Sequence, residues 1–155
     1  SPATEKGMKT KSTPYGNPDE PVYPLALAIA SGATFVARAY SGDMEKLTEL
    51  IIEANKHKGF AFIDILQPCV TFNKVCTHAM YRENTYYLGD DYDPTNKQEA
   101  LAKAYEFGEK KIPVGIFYRE EKPTVESQFA QISEKPLVDQ EPKTTDLVSL
   151  FKKYT

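Results

Sequence analysis

Between Ala33 and Leu66 the apolar pattern changes period twice, and this constrains the fold more than any other feature of the chain. Ala33 to Tyr40 is rich in β-branched and aromatic residues, among them Thr34, Phe35 and Val36, and is bounded by Gly32 and by Ser41-Gly42, which predicts a strand. Asp43 is placed to cap a helix in which Met44, Leu47, Leu50, Ile51 and Ala54 recur at helical spacing as far as His57-Lys58-Gly59. Phe60-Ala61-Phe62-Ile63-Asp64-Ile65-Leu66 is then nearly continuous in apolar residues, the pattern of a strand covered on both faces. Strand, helix, strand is a βαβ unit, and a parallel pair joined this way takes a right-handed crossover.

The flanks extend this unit. Pro24 suits the first position of a helix, and Leu25-Ala26-Leu27-Ala28-Ile29-Ala30 is apolar all round before Gly32 supplies a stop, which predicts a short buried helix. Thr95-Asn96-Lys97-Gln98 reads as a capping box. Ala100, Leu101, Ala104, Tyr105 and Gly108 give the following helix one apolar face. Ile112-Pro113-Val114-Gly115-Ile116-Phe117-Tyr118 is a third strand, with Pro113 among its first residues where no ladder donor is needed. Between Gln67 and Pro94 no period is sustained, so a long loop is expected there, and a loop of that length usually has a job or a partner. The domain reading is an extended loop over 1–21, an α/β core over 22–118 and a charged, proline-containing tail over 119–155. In that tail Leu147, Leu150, Phe151 and Tyr154 mark one face of a terminal helix. The fold class is α/β, a mostly parallel sheet with flanking helices.

Composition excludes several functions. A net charge of −3, with lysines and acids interleaved, provides no basic stripe for nucleic acid. No apolar run approaches the ~18 residues of a membrane span, so a cytoplasmic protein is expected. The eight glycines are never closer than seven positions, so neither G-x-G-x-x-G nor the G-x-x-x-x-G-K phosphate loop is present.

The candidate residues are few. His57, at a helix end, reads as a cation favoured by the helix dipole, and His78 as a surface residue. Asp90, Asp91 and Asp93 lack the alternating ligands of a calcium loop and read as a solvated turn. Lys9 and Lys11, in Gly7-Met8-Lys9-Thr10-Lys11, are candidates to meet a cofactor phosphate, or else belong to a flexible basic loop. Cys69 follows a strand at the carboxyl end of a parallel pair, where α/β proteins place ligands; a buried inert cysteine is the alternative. Cys76 reads as inert. Two cysteines are too few to hold a four-thiolate cluster.

Three linked segments, Ala33-Thr34-Phe35-Val36-Ala37-Arg38-Ala39-Tyr40-Ser41-Gly42-Asp43, then His57-Lys58-Gly59-Phe60-Ala61-Phe62-Ile63-Asp64, then Leu66-Gln67-Pro68-Cys69-Val70-Thr71-Phe72-Asn73, strongly resemble the β subunits of 2-oxoacid:ferredoxin oxidoreductases. Ser1-Pro2 with Lys9 to Gly16 resembles the segment just after that family's Lys-Gly-Gln turn, and Pro113 to Arg119 its last core strand. The resemblance implies part of a thiamin-diphosphate-binding fold. It also implies a role in the CoA-dependent oxidative decarboxylation of a 2-oxoacid to acyl-CoA and CO2, with electrons leaving through a [4Fe–4S] cluster to ferredoxin. Thiamin diphosphate, Mg2+ and the cluster belong to the complete enzyme. Partners so implied are an upstream half of the β subunit, an α subunit and, in some assemblies, γ and δ subunits.

Within this resemblance Cys69 aligns with the family's fourth cluster ligand, the other three coming from a distant part of the chain. The family's N-terminal cysteines, its Gly-Asp-Gly metal and diphosphate motif and its Lys-Gly-Gln turn are not in this sequence. The chain is therefore expected to be a C-terminal fragment or one of two chains of a split subunit, without cofactor and inactive when isolated. The competing expectation is a non-catalytic α/β binding or assembly module that reuses the half-fold.

Overall fold

A computed structural model describes residues 4–10, 13–71, 73–107, 111–140 and 147–154. The chain divides into two units, 1–122 and 123–155.

In the first unit the βαβ expectation is met. Strand β1 (Phe35–Tyr40), helix α2 (Met44–Lys56) and strand β2 (Ala61–Leu66) follow a short helix α1 (Pro24–Ala30), and β1 pairs with β2 in parallel. Asp43 caps α2 by accepting from the Lys46 amide at 3.1 Å. The turn into β2 needs a glycine: Gly59 has φ +145°, and a Cβ there would lie 2.4 Å from Thr34 Oγ1. Pro24 opens α1 as expected, but Leu27 is 60% exposed, so α1 is buried on one face and not all round.

The stretch between Gln67 and Pro94 is more structured than its sequence predicts. It holds helix α3 (His78–Asn84), capped by Thr77, which runs directly into a short strand β3 (Thr85–Tyr87). After helix α4 (Lys97–Ala104), strand β4 (Ile112–Arg119) completes a sheet in the order β2-β1-β4-β3. The β3–β4 pair is parallel, like β1–β2, while β4 runs antiparallel to β1 with an irregularity at Val36/Ala37. The sheet is thus mostly parallel with one antiparallel seam. The cap of α4 also sits one residue later than the capping-box pattern implies. Asn96 accepts from the Glu99 amide, and Thr95 is engaged by Asp93. Gly108, expected on the face of α4, lies outside the described residues.

Alternation along β1 divides the core. Phe35, Ala37 and Ala39 pack with Leu47 and Leu50 of α2 on one side. Val36 packs with α1 and α4 on the other, and Tyr40 joins Leu66, Tyr81, Ile112 and Val114. Every residue of β1 is buried. Among the described residues β2 is an edge strand, only part-buried along most of its length, with Ile65 42% exposed. The two-sided cover expected of its apolar run is therefore not supplied.

In the second unit, helices α5 (Val125–Gln128) and α6 (Ala130–Ser133) precede a 3-10 turn at Leu137–Asp139. The Gln140 side-chain amide donates to the Gln131 and Lys135 carbonyls. Helix α7 (Leu147–Tyr154) forms where the terminal amphipathic pattern lies. No helix among the described residues is long and apolar enough to cross a membrane.

Candidate functional site

Two charges interrupt the two apolar strands of the βαβ unit, Arg38 in β1 and Asp64 in β2, and the parallel register sets them side by side. Arg38 Nε donates to Asp64 Oδ2 at 2.9 Å. The Arg38 side chain is 3% exposed and Asp64 24%. Burial pulls the Arg38 pKa down against the opposing pull of Asp64, yet a guanidinium has no accessible neutral form, so the charge stays. Its Cζ lies 5.6 Å from the Phe107 ring centroid and 5.5 Å from that of Phe117. Its Nη1 is buried and has no hydrogen-bond partner among the described residues.

Arg38 and Asp64 line a cleft of about 360 Å3 along the carboxyl-terminal halves of β1 and β2. Its walls include Thr4, Glu5 and Met8 from the N-terminal loop, Tyr81 of α3, and Cys69, Asn73 and Cys76 from the loop after β2. That loop is held locally. Asn73 Oδ1 accepts from the Val75 and Cys76 amides, each at 2.9 Å, and the Asn73 amide donates to the Cys69 carbonyl at 3.1 Å. Tyr81 is hydrogen-bonded to Cys76, and its pKa is pushed up to about 12, first by burial and then by that neighbour. At neutral pH it adds no charge to the cleft.

Cys69 stands in the cleft wall three residues past β2 and is exposed, which removes the buried, inert reading. Cys76 is half-buried against the Tyr40–Leu66–Tyr81 cluster, in keeping with a packing role. Lys9 is exposed and is not among the residues lining the cleft, and Lys11 lies outside the described residues. The structure brings Cys69 together with Arg38 and does not bring Lys9 to them. Arg38 and Asp64 were not singled out as site residues from the sequence. The available signal was a lone cation and a lone carboxylate in two strands otherwise apolar.

The other candidates fall as follows. His78 is exposed, with Nδ1 2.7 Å from the Tyr40 hydroxyl. His57 is the C-cap residue of α2, at the helix end where it was expected. Its Nε2 lies 2.8 Å from Thr34 Oγ1, and burial, then the nearby Arg119 charge, lower its pKa and favour the neutral ring. Asp90, Asp91 and Asp93 are exposed, and Asp93 is occupied in accepting from Thr95.

The donor chemistry fits one implied group. An exposed thiol and a buried guanidinium that line the same cleft suit one corner of an anionic, thiolate-bound iron–sulfur cluster. Among the described residues no three His, Cys, Asp or Glu side chains gather to hold a metal ion.

Comparison with known proteins places this arrangement. Residues 2–65 match the family model described as thiamine pyrophosphate enzyme, C-terminal TPP binding domain, and residues 69–134 match the model for the C terminal of the pyruvate ferredoxin oxidoreductase beta subunit. The chain is 44% identical over 154 residues to 2-oxoacid:ferredoxin oxidoreductase 1, subunit beta, of Aeropyrum pernix, covering 92% of this chain and 48% of that protein. It is 40% identical over 168 residues to the 2-oxoacid:ferredoxin oxidoreductase subunit beta of Sulfolobus sp, covering 96% and 55%. The solved structure of 2-oxoglutarate:ferredoxin oxidoreductase from Magnetococcus marinus with 2-oxoglutarate, coenzyme A and succinyl-CoA bound matches with a TM-score of 0.82 at 33% identity, over 100% of this chain and 52% of that one. The chain thus spans about half the length of the relatives it matches. On sequence and fold together, the chain belongs to the β subunits of the 2-oxoacid:ferredoxin oxidoreductases and corresponds to their C-terminal part.

Proposed function

We propose that this chain serves as the C-terminal part of the β subunit of an enzyme that oxidises a 2-oxoacid with CoA to acyl-CoA and CO2 and sends the electrons to ferredoxin. It acts with an upstream part of the same subunit and with an α subunit. The observation that carries this reading is Cys69, an exposed thiol at the carboxyl end of β2 in the wall of a cleft whose floor is a buried arginine. A [4Fe–4S] cluster, when bound, supplies one-electron uptake and release. Cys69 contributes one thiolate to it. The Asn73 turn sets the backbone on which that thiolate stands, and Tyr81 fills the cleft wall beside Cys76. The Gly-Asp-Gly motif for the metal and the diphosphate of thiamin diphosphate, which this sequence lacks, is supplied by the upstream part.

The test uses the complete β subunit assembled with its partner and prepared without oxygen. Cys69→Ser is expected to lower iron and labile sulfide and to suppress ferredoxin reduction more than 2-oxoacid decarboxylation, whereas Cys76→Ser does neither. Full iron and normal ferredoxin reduction in Cys69→Ser would overturn the assignment. A complete subunit that carries no iron at all would favour a non-catalytic assembly module.

A further inference from the structure

The role given to Cys69 leaves the floor of the cleft unexplained. Arg38 directs Nε at Asp64, yet among the described residues its Nη1 has no hydrogen-bond partner, in a side chain that is 3% exposed. A guanidinium keeps its charge at any ordinary pH and carries five N–H donors, and a donor left idle in a dry setting is costly. The Phe107 and Phe117 rings near Cζ take up part of the charge but provide no acceptor for Nη1. Asp64 is also an incomplete counter-ion: it is the more exposed member of the pair, so water screens its charge more than it screens the arginine. Arg38 is thus the one cation among the described residues lining the cleft that Cys69 also lines, set against the carboxylates of Asp64 and Glu5.

We infer that Arg38 is a positioning residue for electron transfer: through its charge and its unmatched N–H it raises the reduction potential of the cluster held in part by Cys69. This rests on the reading of Cys69 given above. The reduced cluster carries one more negative charge than the oxidised one, so a nearby cation stabilises it selectively. The electron arrives from 2-oxoacid oxidation and leaves to ferredoxin. Arg38 itself gains and loses neither electron nor proton.

A redox titration followed by electron paramagnetic resonance, on the complete β subunit with its partner, tests this. Arg38→Gln should lower the reduced-to-oxidised ratio at a fixed ambient potential about tenfold, about 59 mV for a one-electron couple, with iron and labile sulfide unchanged. Arg38→Lys, which keeps the charge and loses the planar fork, should recover more than half of that change. Asp64→Asn removes the counter-charge and leaves the guanidinium, so it should move the ratio the opposite way. A purely structural role predicts neither the lysine rescue nor the opposite signs. An unchanged midpoint in Arg38→Gln at full iron content overturns the inference and leaves the ligand role of Cys69 intact. Full iron in Cys69→Ser overturns the reading beneath it. Should Arg38→Gln fail to fold, Asp64→Asn decides alone, and a midpoint that stays put or falls overturns the inference.

Discussion

Two arginine–carboxylate pairs tie elements of the first unit together, and they differ mainly in their access to water. Arg38 meets Asp64 at 2.9 Å between neighbouring strands, and Arg119 meets Glu53 at 2.7 Å between β4 and α2. Both guanidinium groups also lie over phenylalanine rings, Arg119 at 5.3 Å from Phe35. The side chains of Arg119 and Glu53 are 38% and 40% exposed, against 3% and 24% for the inner pair. At Glu53 the bond from Arg119 dominates and lowers the carboxyl pKa, as expected of a wet ion pair. At Arg38 burial outweighs the partner, and the guanidinium pKa falls although a carboxylate touches it. Distance alone therefore says little about what such a pair does. The outer pair exchanges one solvated state for another, while the inner pair is a desolvated charge whose surroundings must answer for it.

The largest effect expected from this contrast is the loss of the inner cation. Arg38→Met strands Asp64 and should cost about 3 kcal/mol, the low end of the range for breaking a buried pair because Asp64 retains some water. Urea denaturation measures it, and a loss near zero would erase the distinction between the pairs. Next comes the double variant Arg38→Met, Asp64→Leu. With no charge left unpaired it should regain most of that stability, giving a coupling of about 2 kcal/mol in a double-mutant cycle. Losses that simply add would show that the two residues act independently.

A smaller effect is set by pH. The folded pKa of His57 is lowered below its ordinary 6.5, first by burial and then by Arg119. Protonation therefore favours the unfolded chain, and the stability His57 contributes is complete above pH 6.5 and is lost as pH falls through the folded pKa. The slope of stability against pH below 6.5 should flatten in His57→Gln, as read from denaturation midpoints across that interval. An unchanged slope would assign the acid sensitivity to other groups.

The smallest effect is Arg119→Ala. Its pair is wet, so the melting shift should be slight and should fade in high salt. The same change removes a charge that opposes His57 protonation, so the His57 titration, followed by NMR, should move upward. A large, salt-resistant loss of stability would place the outer pair in the same class as the inner one.

The βαβ unit could be read from the chain because its signals are local. Asp43 caps α2 and Pro24 opens α1, each acting within a few residues of itself. Helix α3 was missed because its seven residues are too few to display a period, and β3 because three residues are too few to alternate. Cys69 was visible as a candidate from its place after a strand, whereas Arg38 passed as part of a motif, since one cation in an apolar run does not disclose its partner.

The spacing of apolar residues, the caps and the turn glycines determined by themselves that this chain forms an α/β unit with a crossover helix, because those preferences come from backbone sterics and short-range hydrogen bonds. Tertiary structure alone decided the antiparallel seam between β1 and β4, the edge position of β2 and the meeting of Arg38, Asp64 and Cys69 around one cleft. Pairing direction depends on how the segments between strands return across the sheet, and that is settled by packing between residues far apart in sequence. Desolvation of Arg38 follows from the same packing, since α1, α4 and α3 close over one face of β1 and leave its guanidinium with one carboxylate and an unmatched N–H.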